Sequence, residues 1–138
     1  MNNKFNYFGL FLDNKDIEIL QNAVPYEYQD YLFNGKIYLD HCTIVHHTQL
    51  NTELGKAIYD NCQEFQGYYY KITILAIGKS DKAMAFAVSL DTPSCNKFPH
   101  ITIATFNGGT PKDSNDITEW ESIDPIEIKG QLRRIDYK

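Results

Sequence analysis

The sequence has little of what marks a secreted or membrane-bound protein. It holds three cysteines, Cys42, Cys62 and Cys95, which are widely spaced and form no CxxC pair, so a disulfide framework or a zinc ribbon is not expected. No apolar stretch approaches the ~18 residues of a membrane-spanning helix, and the polar start of the chain lacks a signal-peptide pattern. We therefore expect reduced thiols, no membrane partner and a cytoplasmic location, which would be the host cytoplasm for a viral protein.

Positive charge is also scarce. The chain has 13 Lys and Arg against 18 Asp and Glu, a formal net charge of −5. This balance argues against a long phosphate-contacting surface for duplex DNA, but a small anionic ligand could still be held by a few donors. The sequence contains no P-loop, GxGxxG, HExxH or nucleophile-elbow motif, so its chemistry must come from another pattern.

The composition is that of one globular domain, 1–138. Hydrophobic residues make up 43% and charged residues 22% of the 138 positions, which is ordinary for a folded chain of this length. Runs rich in aromatic and β-branched residues predict strands over 5–12, 36–45, 68–77, 83–90, 100–106 and 126–137. Apolar residues at helical spacing predict helices over 15–23 and 54–65, the first capped at Asp13-Asn14 and the second at Asn51 or Thr52. This order of elements favours an α+β domain with helices on one side of curved sheets.

A short motif occurs twice in the predicted strands. The two copies are His41-Cys42-Thr43-Ile44 and His100-Ile101-Thr102-Ile103. Residues i and i+2 of a strand point the same way, so the histidine and threonine of each copy share one face and the apolar residues share the other. One copy occurs often by chance, but two copies in matching phase, in a chain with only 4 His, are a more specific signal.

Two such strands side by side would line one groove with two imidazoles and two hydroxyls. An imidazole exchanges protons near neutral pH, so one histidine could deprotonate a nucleophile while the other protonates the leaving oxygen. The threonine hydroxyls could donate to the non-bridging phosphoryl oxygens. We therefore predict a phosphodiester reaction that needs no metal and no cofactor, with the acid and base roles left open. The predicted catalytic residues are His41, Thr43, His100 and Thr102.

The paired motifs resemble the signature of the 2H phosphoesterase superfamily, whose members carry two HxTx or HxSx motifs. The superfamily includes RNA 2′,3′-cyclic phosphodiesterases, 2′-5′ RNA ligase-like enzymes and phage enzymes that destroy cyclic-oligonucleotide alarm signals. The stretch from Pro99 to Asn115, PHITIATFNGGTPKDSN, is similar to the second motif and following loop in the phage anti-CBASS phosphodiesterases and in the cyclic phosphodiesterase domain of fungal tRNA ligases. The resemblance implies a bilobal α+β fold, in which two antiparallel sheets form a central groove and helices lie on the outside.

The resemblance implies a metal-independent phosphodiesterase, and three functions stay open. The first is hydrolysis of a cyclic nucleotide or cyclic oligonucleotide signal, which the acidic charge and the 10 Tyr favour. The second is opening of a 2′,3′-cyclic phosphate at an RNA end, which the tRNA-ligase-like loop favours. The third is a binding module that sequesters nucleotides without cleaving them, and the presence of both intact motifs argues against it.

Five further residues are candidates for substrate binding. An aromatic ring on the first or third long strand could stack on a base, and Gly9 would leave room beside the ring on the first strand. Polar groups of the loop after the second motif could hold phosphate or ribose, and a carboxylate on the last strand could contact a base edge. Each has a plain alternative, core packing for the tyrosines and a solvated surface for the others. The candidates are Tyr7, Tyr70, Lys112, Ser114 and Glu127.

His46 and His47 follow the first motif. Alternation along the strand predicts that His46 leaves the motif face and that His47 returns to it. A metal site that joins them to the motif histidines is conceivable, but no carboxylate or cysteine stands beside them at ligand spacing. We therefore predict strand-end polar residues rather than metal ligands.

Two features near the end of the chain carry weaker predictions. Trp120, the only tryptophan, is interpreted as a packing residue rather than as a platform for a base. Arg133 and Arg134 lie on the predicted last strand, where they either add positive potential near the site or offset the acidic chain.

Overall fold

A computed structural model of the protein describes residues 4–137. It contains seven strands and three helices in that range, with short 3-10 turns at Tyr26–Tyr28, His47–Gln49 and Pro111–Asp116. The strands are β1 (Phe5–Phe11), β2 (Lys36–Ile37), β3 (His41–His46), β4 (Tyr69–Lys79), β5 (Ala83–Leu90), β6 (His100–Thr105) and β7 (Trp120–Asp136). The helices are α1 (Asn14–Ala23), α2 (Gln29–Asn34) and α3 (Glu53–Glu64).

Six of the described strands close into an antiparallel barrel. Their order around the ring is β6-β3-β1-β7-β4-β5. The ring closes because β5 also pairs with β6, from Ala83↔Thr105 to Ala87↔His100. The short strand β2 adds to β6 through Lys36↔Thr105. Strands therefore make up most of the regular structure, and helices are few.

The predicted bilobal fold, with two sheets around a central groove, is wrong. Hydrogen-bonded neighbours run without interruption around the ring, so no second sheet stands opposite the first. The cause is the long-range pairing of β5 with β6, which removes the edges that two separate sheets would leave open. The surface that carries the motifs is consequently the outer face of a barrel rather than a cleft between two lobes.

One apolar core fills the barrel. Residues of the six barrel strands point into it. Leu20 of α1, Val24 directly after α1, and Ile58 and Cys62 of α3 belong to the same cluster. Full burial of a large apolar side chain stabilises the fold by ~1.5–3 kcal/mol. The residues between the inward ones are then left on the outer face. The largest fully buried side chains are Phe8, Leu10, Leu20, Leu39, Ile44, Ile72, Ile74, Ile77, Met84, Phe86, Ile101 and Ile103.

The two long helices begin at the caps that the sequence predicts. The Asp13 side chain accepts from the Asp16 amide at 3.0 Å, and the Thr52 hydroxyl oxygen accepts from the Gly55 amide at 2.9 Å. Each bond satisfies an amide that has no partner inside its helix. Within residues 4–137, no helix combines the length and the apolar character that crossing a membrane requires.

The predicted strand over 36–45 is divided in two at Leu39. This residue has a φ of 48°, a left-handed conformation that costs a non-glycine residue on the order of 1–3 kcal/mol. Its side chain is fully buried, and its amide donates to the Thr102 carbonyl at 2.9 Å. The resulting kink separates β2 from β3.

Candidate active site

The two motif strands, β3 and β6, are direct neighbours. They pair antiparallel at Cys42↔Ile101, and both of these residues are fully buried. The four polar side chains of the motifs are partly exposed on the opposite face, so the predicted alternation is present. We call this outer face the motif surface. The antiparallel register places His41 across from Thr102 and Thr43 across from His100.

The imidazole of His41 is held from three sides. Its Nδ1 lies 2.8 Å from Oδ1 of Asp40. The ring stacks on Tyr7 and Phe11, with ring centroids 5.2 Å and 5.1 Å away at interplanar angles of 29° and 20°. The side chain is 22% exposed. These contacts fix the plane of the ring and leave Nε2 as the nitrogen without a protein partner in the described residues.

Asp40 is a functional candidate that the sequence analysis missed. The hydrogen bond from His41 holds the pKa of the Asp40 carboxyl below its ordinary 3.8, against the opposing effect of partial burial. Asp40 therefore stays a carboxylate at neutral pH, accepts from Nδ1–H of His41 and orients the ring. The only sequence feature that could have indicated a role for Asp40 is its position directly before the first motif. Alternation along the strand instead predicts that its side chain lies on the face opposite to His41.

His100 has a different environment. Its Nδ1 donates to the Phe98 carbonyl at 3.1 Å, since a carbonyl oxygen can only accept. Burial is the main cause that lowers the pKa of His100 below the ordinary 6.5, and the charge of His41 lowers it further, although the bond to Phe98 acts the other way. His100 is therefore neutral at pH 7, with a free lone pair on Nε2. The pairing of β3 with β6 places the two motif histidines on neighbouring strands.

The loop after the second motif packs back on the motif surface through Ser114. Its buried hydroxyl lies 2.9 Å from the hydroxyl of Thr102. On the other motif strand, the amide of the Asn96 side chain donates to the Thr43 carbonyl at 3.0 Å. Ser114, predicted to bind substrate, is thus placed where it orients Thr102, and binding of substrate by Ser114 stays a prediction.

A β-bulge changes the face on which His46 lies. β1 pairs Phe8 with Val45 and then Gly9 with Thr43, so the chain of β3 holds one extra residue there. His46 consequently pairs with Tyr7 and shares the face of the motif histidines. The prediction that His46 turns away from that face is wrong for this reason.

Lys112 lies in the turn Pro111–Asp116 and affects the environment of His46. Burial, the neighbouring His47 and the charge of Lys112 together lower the pKa of His46 below its ordinary 6.5. His46 also caps the turn at His47–Gln49, with its Nδ1 2.9 Å from the Thr48 hydroxyl. The charge of Lys112 thus acts on His46, and its role in binding substrate stays a prediction.

A cavity of about 580 Å³ opens beside His100. Trp120 and Phe98 contribute aromatic walls, and Asn115 and Thr118 contribute polar groups. Trp120 packs over Gly78, where a Cβ would come within 2.5 Å of the indole, yet 37% of its surface stays exposed. The tryptophan is therefore both a packing residue and a wall of this cavity.

Tyr70 and Glu127 are not brought to the motif surface. Both line a second cavity of about 560 Å³, together with residues at the start of α1. Glu127 pairs with Thr73 of β4 and lies 3.6 Å from the ammonium group of Lys71. Tyr70 packs against the core. Tyr69 and Lys129 line the same cavity, and contact of Tyr70 or Glu127 with a substrate stays a prediction.

No metal site accompanies the motifs within the described range. Between residues 4 and 137, no group of three or more His, Cys, Asp or Glu side chains is arranged to hold a metal ion. His47 is instead held by the Asn6 carbonyl at 3.2 Å and by the Tyr137 hydroxyl.

The fold and the family were compared with known proteins. Residues 38–131 match the family of the fungal tRNA ligase phosphodiesterase domain. The crystal structure of a fungal RNA kinase is similar in fold, with a TM-score of 0.75 at 16% sequence identity, over 100% of this chain and 46% of that one. The chain thus spans about half the length of that solved protein. The comparison with curated proteins found no match.

These findings define the class of protein. Paired HxTx strands and the family match together place the chain among phosphoesterases related to the 2H superfamily, as the sequence motifs predict. More narrowly, the chain belongs to the fungal tRNA ligase phosphodiesterase domain family, whose match covers both motifs and the strands between them.

Proposed function

We propose that the protein opens 2′,3′-cyclic phosphates at RNA ends, in a reaction carried out by His41, Thr43, His100 and Thr102. The observation that carries the proposal is the pairing of the two motif strands, which puts two imidazoles and two hydroxyls on one surface. Membership in the family of the fungal tRNA ligase phosphodiesterase domain supports an RNA end as the substrate.

The different surroundings of the two histidines support separate roles. His100, neutral because burial lowers its pKa, accepts a proton from water on Nε2 while the water oxygen attacks phosphorus. We assign the acid role to His41, whose Nδ1 lies 2.8 Å from the Asp40 carboxylate: it donates its Nε2 proton to the ribose oxygen as the phosphorus–oxygen bond breaks. The product is a ribose phosphomonoester with one free hydroxyl, and a proton then returns from His100 to His41 through solvent.

Hydroxyl groups on both strands support the charge that builds on phosphorus. Thr43 and Thr102 can each donate to a non-bridging oxygen, where negative charge accumulates in the transition state. The bond between Ser114 and Thr102 fixes the rotamer of one donor before substrate arrives. In this scheme protein groups supply every proton transfer, so we expect catalysis without an added metal or cofactor.

The cyclic oligonucleotide signal, which the sequence analysis placed first, becomes the second candidate because the family match concerns a tRNA ligase domain. A degrader of anti-phage alarm signals and a nucleotide-sequestering module both stay predictions. The free thiols of Cys42, Cys62 and Cys95 support the predicted cytoplasmic location.

One substrate panel tests the proposal. Protein treated with EDTA is incubated with RNA ending in a 2′,3′-cyclic phosphate, with cyclic di- and trinucleotides and with 2′-5′ oligoadenylate. We expect cleavage of the RNA end at an unchanged rate after EDTA, and ~10²–10⁴-fold loss in His41→Ala and His100→Ala. Preference for a cyclic oligonucleotide would replace the RNA substrate with the signal. Binding without cleavage would support the sequestering module.

A further inference from the structure

The outer face of β7 continues the motif surface. Lys129, Gln131 and Arg133 alternate with buried residues of the same strand, so their side chains share the outer face. The register with β1 sets Arg133 beside Gly9 and Gln131 beside Phe11. Three consecutive outward positions of β7 therefore carry two cations and an amide, next to the strand that borders the first motif.

A single glycine separates Arg133 from the first motif. Gly9 pairs with Arg133 on one side and with Thr43 on the other, so Arg133 and Thr43 lie in one row, two strand spacings or ~10 Å apart. A Cβ on Gly9 would stand 3.3 Å from ring atoms of both Tyr7 and Phe11. Because Gly9 has no side chain, the rings of Tyr7 and Phe11 can occupy the space above it. They form an apolar surface between Arg133 and the first motif.

Arg133 is positioned but has no anionic partner in the described residues. Its Nε donates to the Gln131 amide oxygen at 3.0 Å, and its guanidinium lies 5.9 Å from the centre of the Phe11 ring. Among the ion pairs of residues 4–137, none involves this side chain. The terminal nitrogens of the guanidinium are therefore available to an anion from solution.

Arg134, the next residue, has the opposite character. Its Nε donates to Asp136 at 2.7 Å, one terminal nitrogen donates to the Tyr59 hydroxyl at 2.9 Å, and its side chain packs over Phe5. Arg134 is thus a structural residue on the other face of β7. The contrast between two adjacent arginines shows that the chain leaves one cation unpaired on the side of the motifs.

A cation beside an aromatic ring is found again between β7 and the next strand, β4. Tyr69 of β4 pairs with Gln131, is 59% exposed and has the ammonium group of Lys129 5.1 Å from its ring centre. Cations and flat aromatic rings therefore alternate outward from His41. Proteins that bind single-stranded nucleic acid combine these two features, because the cations hold phosphates and the rings stack on bases.

We propose that this surface, the β7 track, binds the single-stranded RNA that precedes the cyclic phosphate. The track consists of Phe11, Tyr69, Lys129, Gln131 and Arg133. Arg133 binds the first phosphate beyond the reacting one, and Lys129 and Tyr69 bind the next nucleotide. The inference rests on the proposed function and narrows its substrate to an oligonucleotide end, as opposed to a free cyclic mononucleotide.

Substrate length tests the track. The rate constant kcat/KM is measured for a 2′,3′-cyclic mononucleotide and for oligoribonucleotides of two and five residues with the same cyclic end. We expect the wild type to prefer the longer substrates. Arg133→Gln should lower kcat/KM about tenfold for the oligonucleotides and leave the mononucleotide unchanged. Arg133→Lys should recover part of the loss, and Lys56→Gln, which removes a charge on exposed α3, should change neither.

Binding to a catalytically inactive variant separates this inference from the proposed function. A 5′-labelled pentanucleotide should bind to His100→Ala, and its binding constant is measured at several salt concentrations. When Arg133→Gln is added, the slope of the logarithm of this constant against the logarithm of salt concentration should become shallower by about one. Arg133-dependent binding without cleavage by the wild type would support the track and reject the proposed reaction. An equal loss for mono- and oligonucleotides, or no effect of Arg133→Gln on either measurement, would overturn the track.

Discussion

The atom that each motif histidine leaves free decides which proton it can move. Nδ1 of His41 is engaged by Asp40 and Nδ1 of His100 by the Phe98 carbonyl, so Nε2 is the free nitrogen of both rings. The two groups that bind Nδ1 differ in charge. In general a carboxylate favours a charged imidazolium, whereas a neutral carbonyl in a buried setting favours the neutral ring. In the proposed reaction, His41 is therefore the acid and His100 is the base.

The acid role of His41 predicts the effect of Asp40→Asn. The amide removes the negative charge that balances the imidazolium but keeps the size of the side chain, so the charged form of His41 loses its support. We expect kcat for a cyclic-phosphate RNA end to fall ~10- to 100-fold, consistent with the weight of one general acid. Asp81→Asn, in the exposed turn between β4 and β5, is the matched control and should retain full activity. An active Asp40→Asn would show that the carboxylate does not support the acid.

The base role of His100 predicts the acid side of the pH–rate profile. Its pKa lies below the ordinary 6.5 because burial disfavours the charged ring. The base works only when neutral, so the loss of kcat/KM that protonation of His100 causes should set in below pH 6.5. Measurements of kcat/KM between pH 4.5 and 8 check the sign, and a decline that is complete above pH 6.5 would contradict the assignment.

Among the elements, the start of β7 fixes the cavity beside His100. The pairing Gly78↔Trp120 stacks the indole on the β4 backbone, and the rest of the ring faces the cavity with Phe98. An aromatic ring stacked by a base contributes ~1–3 kcal/mol to binding. The cavity is therefore the place on the motif surface where a nucleobase next to the reacting phosphate would fit.

The single tryptophan makes this cavity directly observable. A nucleoside monophosphate that enters it should quench the fluorescence of Trp120, the only Trp of the chain. In Gly78→Ala, the new Cβ would meet the indole within 2.5 Å, so the ring must shift and the affinity should fall about tenfold. Circular dichroism checks that the variant is folded. Unchanged quenching in Gly78→Ala would place the nucleobase elsewhere.

The elements that could be predicted from the sequence are those with a local signal. The two-residue period placed the histidine and threonine of each motif on one face, and the caps Asp13 and Thr52 placed both long helices. By contrast, the bulge that turns His46 to the motif surface has no mark in the sequence. The start of β7 at Trp120 was also missed, because Pro125 reads as a loop residue, whereas it lies where the register between β4 and β7 shifts.

At the scale of the molecule, closure of the barrel could not be predicted from the sequence. The pairing of β5 with β6 depends on backbone hydrogen bonds between segments whose side-chain patterns would fit two open sheets equally well. The consequence is functional, since β3 and β6 meet directly and need no second lobe to bring His41 toward His100. Asp40 was missed because alternation along a strand sends its side chain away from the face of His41, whereas its Oδ1 lies 2.8 Å from Nδ1 of His41.

A closed barrel with one core also predicts how the protein unfolds. The interior residues of β3 and β6 belong to the same buried cluster as those of β4 and β7, so no part can lose its packing alone without exposing the rest. Urea unfolding followed by Trp120 fluorescence, which reports on β4 and β7, should therefore coincide with unfolding followed by the imidazole NMR signals of His41 and His100, which report on β3 and β6. Two lobes of independent stability would separate the curves. Because both motif strands belong to this one core, activity measured along the same urea series should be lost in that single transition. Loss of activity at clearly lower urea would show that the motif surface opens before the barrel does.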